Sequence, residues 1–252
     1  MRTDRLKRGL ALLLVAGMLV SNMDIYGCGT VKAAGESSYG TQMKSGNAGS
    51  NCKYTTYDTD RDEKADLLVI SGTGPMSDGE YPLKPYLEGI RKVVIEYGVT
   101  RIGNWNFGTS SSSLTRNKSI TSVEIQTDAQ GSTTVESIGQ YAFYLANNLQ
   151  TINLPTGIKK IEGNALAGTP SLRSISLPEG LQTLGNNAVN GGSRDGNKDS
   201  VIIPSTVTSI GSNAVGGFNK VYSLCSAGAG EGNAAYTLTL DDNGTKSNRY
   251  VL

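Results

Sequence analysis

Histidine is absent from the 252 residues, and Phe, Trp and Cys are scarce, at three, one and three residues. The missing imidazole excludes the most. It removes Ser-His-Asp and Cys-His nucleophile pairs, imidazole general bases and His-containing zinc sites. Excess charge is lacking too, since 23 basic and 22 acidic residues leave a formal net charge of +1. No global field therefore draws the chain to nucleic acid or to an anionic membrane. The longest apolar run, residues 10–20, is closed by Ser21, Asn22 and Asp24, and falls short of the roughly 20 apolar residues of a transmembrane helix. Three Cys are too few for a disulfide framework.

The short apolar run follows Arg2, Arg5, Lys7 and Arg8, the layout of an export signal. Val31 and Ala33 fit the small-residue positions of a signal-peptidase site, so residues 1–33 read as a signal peptide cleaved after Ala33. A rival cleavage would use residues 25–28 (IYGC) as a lipoprotein box and acylate Cys28, although Tyr26 fits such a box poorly. Either route leads to secretion or to the extracellular cell surface. Residues 34–51 are polar and expected to be disordered.

What the chain has instead is glycine, 32 residues of it, and repetition. Residues 135–157 (VESIGQYAFYLANNLQTINLPTG) and 158–180 (IKKIEGNALAGTPSLRSISLPEG) are equal in length and consecutive. Val135, Ile138, Ala142, Phe143, Leu149, Ile152 and Leu154 map onto Ile158, Ile161, Ala165, Leu166, Leu172, Ile175 and Leu177. The block at 181–206 keeps the register with three extra residues in its Gly/Ser/Asp/Asn stretch, and the blocks starting at Val99 and Val207 match in part. A period of 23 residues with an L-x-x-I-x-L core is a leucine-rich-repeat pattern, in which a short strand sends alternate side chains inward.

The fold expected is a leucine-rich-repeat solenoid, β-rich with short helical turns. About five repeats would stack as one sheet on an N-terminal β-hairpin cap. Residues 52–98 form that cap and lead-in strand, with strands at 53–57 and 67–70 around a charged turn and a third at 90–96 feeding the array. The array spans 99–225, and 226–252 form a C-terminal cap. Cys52 and Cys225 would then be separated by the whole array, beyond the roughly 7 Å a disulfide allows. They are expected as free thiols in a monomer.

Residues 135–143 (VESIGQYAF) and 207–214 (VTSIGSNA) resemble the V-T-S-I-G-x-x-A-F signature of the BspA-like leucine-rich-repeat proteins of bacteria and some protists. Leu154-Pro155 and Leu177-Pro178 are similar to that family's strand-ending L-P, and residues 67–76 (LLVISGTGPM) to a segment that often precedes its arrays. The small residue, often Cys, that follows the A-F turn is here Ala146 and Thr169, and Phe gives way to Leu166, Val189 and Val215. The resemblance covers about residues 52–225 and implies an exported protein with a role in adhesion or protein binding. It names no ligand.

Side chains alternating with the core should point outward in two columns, Ser122, Thr151, Ser174 and Ser200 in one and Glu124, Asn153, Ser176 and Ile202 in the other. These columns are the candidate binding face for a protein or glycan. A Ser/Thr ladder also stabilises cross-strand pairing without binding anything. Trp105, Tyr141 and Tyr144 lie near turns, where aromatic residues can anchor an interface or pack a repeat edge. Asp58, Asp60, Asp62 and Asp66 have the spacing of a calcium loop, but Glu63 stands where the turn glycine belongs and Val69 where an EF-hand needs Glu. A solvated hairpin turn is the preferred reading of that loop, and no cofactor or metal is expected. Ser71, in Ser71-Gly72-Thr73-Gly74, has no nearby base and reads as part of a turn.

An adhesin-like, non-catalytic binding protein is thus the leading expectation, with a structural spacer of the cell envelope as the alternative. A glycosidase using carboxylates such as Glu124 or Glu162 is less favoured, because no supporting His or paired geometry accompanies them.

Overall fold

The computed structural model describes residues 38–79, 87–109, 119–191, 200–218 and 220–225, all within one compact unit, Ser37–Leu252. The expected signal peptide and C-terminal cap lie outside the described residues. Among the latter there are fourteen strands and no helix, and no helix long and apolar enough to cross a membrane.

The first sheet opens with β1 (Thr41–Asn47), β2 (Cys52–Asp58) and β3 (Leu67–Gly72), paired antiparallel. Strand β2 buries Cys52, Tyr54 and Thr56 on alternate positions, and β3 is buried on both faces over its first four residues. The hairpin β2–β3 lies where the sequence places it. Strand β1 corrects the expectation of disorder over 34–51. Its side chains are almost all exposed, so no apolar alternation announces it, and it is held by main-chain pairing with β2 across a bulge between Gln42 and Lys44.

After β4 (Gly74–Pro75), the chain adds β5 (Lys92–Ile95), β6 (Val99–Ile102), β7 (Ser122–Ile125), β8 (Ser137–Ile138), β9 (Thr151–Ile152), β10 (Lys160–Ile161), β11 (Thr183–Leu184), β12 (Ser200–Ile203), β13 (Ser209–Ile210) and β14 (Lys220–Ser223). The array forms two ladders, not the one sheet expected. Strands β3, β5, β7 and β9 pair in parallel and continue the first sheet. The segment around each I-G forms a second parallel sheet, β4-β6-β8-β10-β11-β13. The first sheet stops at β9. Residues 173–177 pair with neither neighbour among the described residues, and β12 pairs with β14 instead.

The third side of each repeat is a stack of turns where short helical turns were expected. The reason is visible in the hydrogen bonds, which alternate in direction. Tyr141, Phe143 and Leu145 donate N–H groups to Gly163, Ala165 and Ala167 of the next repeat, while Ala142, Tyr144 and Ala146 donate back three residues to Gly139, Tyr141 and Phe143. Half the donors a helix would need are spent between repeats. The same alternation recurs at Asn164, Leu166 and Gly168 and at Asn187, Val189 and Gly191, and Trp105, Phe107 and Thr109 likewise donate to the next repeat.

One continuous core runs inside these three walls. The apolar register read from the sequence is its inventory: Val135, Ile138, Ala142, Phe143 and Leu149 are fully buried, as are Ile158, Ile161, Ala165, Leu166 and Leu172. Each such aliphatic residue contributes about 1.5–3 kcal/mol by leaving water. Phe107 and Phe143 stack across neighbouring repeats, with centroids 5.1 Å apart. Asn106 occupies the position held by Ala142 in the next repeat. It is buried, and its Nδ2 donates to the carbonyls of Ser77 and Gly79, both at 2.9 Å, which ties the segment after β4 to the turn stack. Its Oδ1 has no partner among the described residues.

A further clasp joins neighbours. The N–H of Gly98 donates to Thr134 Oγ1, which donates to the carbonyl of Val99, and Gly180, Thr206 and Leu181 repeat the arrangement. The thiols of Cys52 and Cys225 are free. Cys52 is buried, which pushes its thiol pKa up, and Sγ donates to the carbonyl of Gly74 at 3.2 Å.

Candidate functional site

Parallel pairing aligns Lys92, Ser122 and Thr151 in one outward column, and Val94 and Glu124 in the next. The open part of this face begins late, because an apolar strip of Tyr57, Leu67, Val69 and Val94 is covered by Tyr39. The rings of Tyr39 and Tyr57 lie 5.6 Å apart. Tyr39 Oη donates to Glu96 Oε1 at 3.0 Å and accepts from Gln126 Nε2 at 2.9 Å. Burial, followed by the charge and hydrogen bond of Glu96, pushes the phenol pKa up to about 12.

Beyond that strip, Glu124 and Thr151 are exposed and Ser122 half-buried. Glu124 pairs with Lys92 at 2.6 Å, but both side chains are about half exposed, so the pair contributes less than about 1 kcal/mol. Asn153 is exposed yet engaged: its Oδ1 accepts from the N–H of Ile125 at 2.7 Å and its Nδ2 donates to the carbonyl of Ile125 at 2.8 Å. A side-chain amide has replaced a strand partner there. Ser174 and Ser176 are exposed but lie in the unpaired segment, and Ser200 sits on β12, paired to Lys220 of β14. The structure thus brings Ser122, Glu124, Thr151 and Asn153 together and leaves the later residues out of that ladder.

The acidic loop between β2 and β3 gathers three of its four aspartates. Ligand atoms of Asp58, Asp60 and Asp62 lie within 4.8 Å of one another. Asp66 turns aside, accepting from the N–H and Oγ1 of Thr59 at 2.8 and 2.6 Å. Burial alone would raise the Asp58 carboxyl. The N–H groups of Arg61, Glu63, Asp62 and Asp60 outweigh it and hold the pKa below the ordinary carboxylate value. Arg61 and Glu63 adopt φ of 67° and 65°, so the missing turn glycine does not prevent the left-handed conformation.

Sequence reasoning missed what the turns do with their aromatics. Trp105 and Tyr141 stack at 4.2 Å with an interplanar angle of 12°, and Tyr144 meets both edge-on at 5.9 and 5.2 Å. Trp105 (φ 60°), Tyr141 (φ 57°) and Leu145 (φ 57°) are left-handed, a conformation that costs a non-glycine residue on the order of 1–3 kcal/mol. The same turn position in later repeats holds Asn164, Asn187 and Asn213, also left-handed. That run of Asn was the available signal, since Asn tolerates this region.

Repeats that each close three walls only against a neighbour define a leucine-rich-repeat protein. Within that class the array is similar to the BspA type: residues 111–224 match the BspA type leucine rich repeat region in six copies. The fold is similar to the crystal structure of a leucine-rich repeat protein from Eubacterium ventriosum ATCC 27560, with a TM-score of 0.56 and 23% identity over 79% of this chain and 47% of that one. A leucine rich cell surface protein from Faecalibacterium prausnitzii A2-165 is 17% identical over 69% of this chain and 53% of its own, with a TM-score of 0.39. The chain spans about half the length of these proteins. No curated protein matches it.

Proposed function

We propose that the chain is a secreted or cell-surface binding module that works without catalysis, adhesin-like, and that its ligand, a protein or a glycan, lies against the open outer face of the first sheet. Ser122, Glu124, Thr151 and Asn153 form the centre of that face, with Ser174, Ser176 and Ser200 toward the next repeats. The observation that carries the reading is the contrast on one sheet between a strip covered by Tyr39 and polar columns left open on a repeated scaffold. Solenoids use such extended surfaces for binding.

The test is a pull-down from extracellular matrix and cell-surface extracts, with a glycan array beside it. A Ser122→Ala/Glu124→Ala/Thr151→Ala variant is expected to lose most capture at unchanged melting temperature, because none of the three supports the core. Capture equal to the unaltered chain removes the strand face from the function. Mass spectrometry of the mature N-terminus tests export: cleavage after Ala33 or acylation of Cys28 supports it, and an intact N-terminus on a cytosolic protein overturns it.

A further inference from the structure

The turn stack changes character along the array. At one left-handed position the last three repeats carry Asn164, Asn187 and Asn213, and the first two carry Trp105 and Tyr141. Four residues on, Gly168 and Gly217 take positive φ where the second repeat has Leu145. Asn and Gly reach this conformation easily and bulky side chains do not. The chain therefore contains its own cheaper solution to the turn and departs from it three times within two adjacent repeats.

Core packing does not account for the departures. Phe107 and Phe143 already fill the interior of these two repeats, whereas Trp105, Tyr141, Tyr144 and Leu145 are all half-buried at the surface. Strain repeated at neighbouring turn positions and not required by the core is a reason to look for a ligand there. Two amides neighbour the rings in position: Gln140 precedes Tyr141, and Asn164 takes the same turn position in the next repeat. Gln140 is exposed and Asn164 half-buried, and neither side chain has a hydrogen-bond partner among the described residues.

We infer that this aromatic turn is a binding site for a neutral glycan, separate from the strand face. Aromatic rings offer flat apolar area at fixed orientation, which suits the C–H faces of a pyranose. The two free amides each offer donors and an acceptor, as sugar hydroxyls require, without introducing charge. A folded protein partner covers about 800 Å² on each side. Three rings and two amides are a small target for that and match one or two sugar rings.

Trp105 is the single tryptophan, so intrinsic emission reports on this site alone. The experiment titrates the full chain with neutral oligosaccharides (cello-, malto-, xylo-, manno- and chito-hexaose), following Trp105 emission and retardation in gels containing the parent polysaccharides. At least one sugar is expected to give a saturable change. Tyr141→Asn, which installs the residue of the later repeats, should weaken it by about tenfold or more without lowering the melting temperature. Tyr141→Phe, which keeps the ring in place, should stay within about threefold.

No response to any neutral sugar overturns the site, and so does equal affinity in Tyr141→Asn or equal loss in both variants. Capture of a protein alone at these turns also overturns it. If Ser122→Ala/Glu124→Ala/Thr151→Ala abolishes capture while Tyr141→Asn does not, the strand-face reading stands and this one falls.

Discussion

The two ladders serve the same repeats and fare differently. The second sheet runs unbroken from β4 to β13, and its inward residues Ile102, Ile138, Ile161, Leu184 and Ile210 are no more than 2% exposed. The first sheet stops at β9, where Ile152, Leu154, Ile175 and Leu177 are 7–8% exposed, against 0–3% for Val93, Ile95, Val123 and Ile125 upstream. Residues 172–177 (LRSISL) nonetheless repeat the apolar pattern of 149–154 (LQTINL). Pairing is therefore decided by neighbours. On one side Asn153 spends its amide on Ile125, and on the other the lengthened repeat leads into a β12 that pairs with β14. A hydrophobic pattern secures burial, and register with the next repeat must be secured separately.

The largest effect should come from the core on either side of this difference. Ile161→Ala in the unbroken ladder is expected to cost about 3–5 kcal/mol in denaturant unfolding, and Ile175→Ala at the break about 2 kcal/mol, because the looser site collapses more readily. Equal losses would mean that the break carries no energetic difference. Asn106→Ala restores the residue of the later repeats yet should destabilise by about 1–3 kcal/mol, since Ser77 and Gly79 lose their donors. A neutral result would detach the segment after β4 from the stability of the array.

Asn153→Ala should cost about 1 kcal/mol, with faster amide exchange at Ile125. In the unaltered chain the amides of 173–177 should exchange faster than those of Lys160, Ile161, Thr183 and Leu184, and equal protection would close the break. The smallest effects are those of pH. The hydrogen bond of Arg101 and the N–H of Asn104 hold the Asp78 carboxyl, like that of Asp58, below its ordinary range. Their contribution is present above the ordinary carboxylate pKa and is lost as pH falls through the folded-state values. Tyr39 has the opposite sign: raised from 10.0 to about 12, its contribution is present below 10.0 and lost as pH rises through about 12. Asp78→Asn and Tyr39→Phe should flatten the acid and alkaline limbs of a melting-temperature profile respectively.

Much of this was legible. The 23-residue register named the buried residues of the second and third repeats, and alternation on β7 and β9 placed Ser122, Glu124 and Thr151 outward, as found. Strand β1 was not, because Thr41–Asn47 is polar and pairs through its main chain, which leaves no periodic trace. The second sheet escaped for a related reason: most of its strands are only two residues long, below the length at which alternation can be read. At the candidate site, composition gave the aromatics and the acids, but not that Asp66 would face Thr59 or that Trp105 would lie on Tyr141. Those follow from the stacking of one repeat on the next.

The threonine clasp has a consequence for how such a chain can change length. In both clasps the hydroxyl that closes a unit belongs to the next one, so the units ending at Gly98 and Gly180 are not finished by their own residues. Excising or duplicating a whole period keeps a clasp intact only where the period brings its own clasp threonine. A cut at any other phase strands a glycine N–H and a carbonyl at once. Gain or loss at whole-unit phase is thus the least disruptive path open to the array.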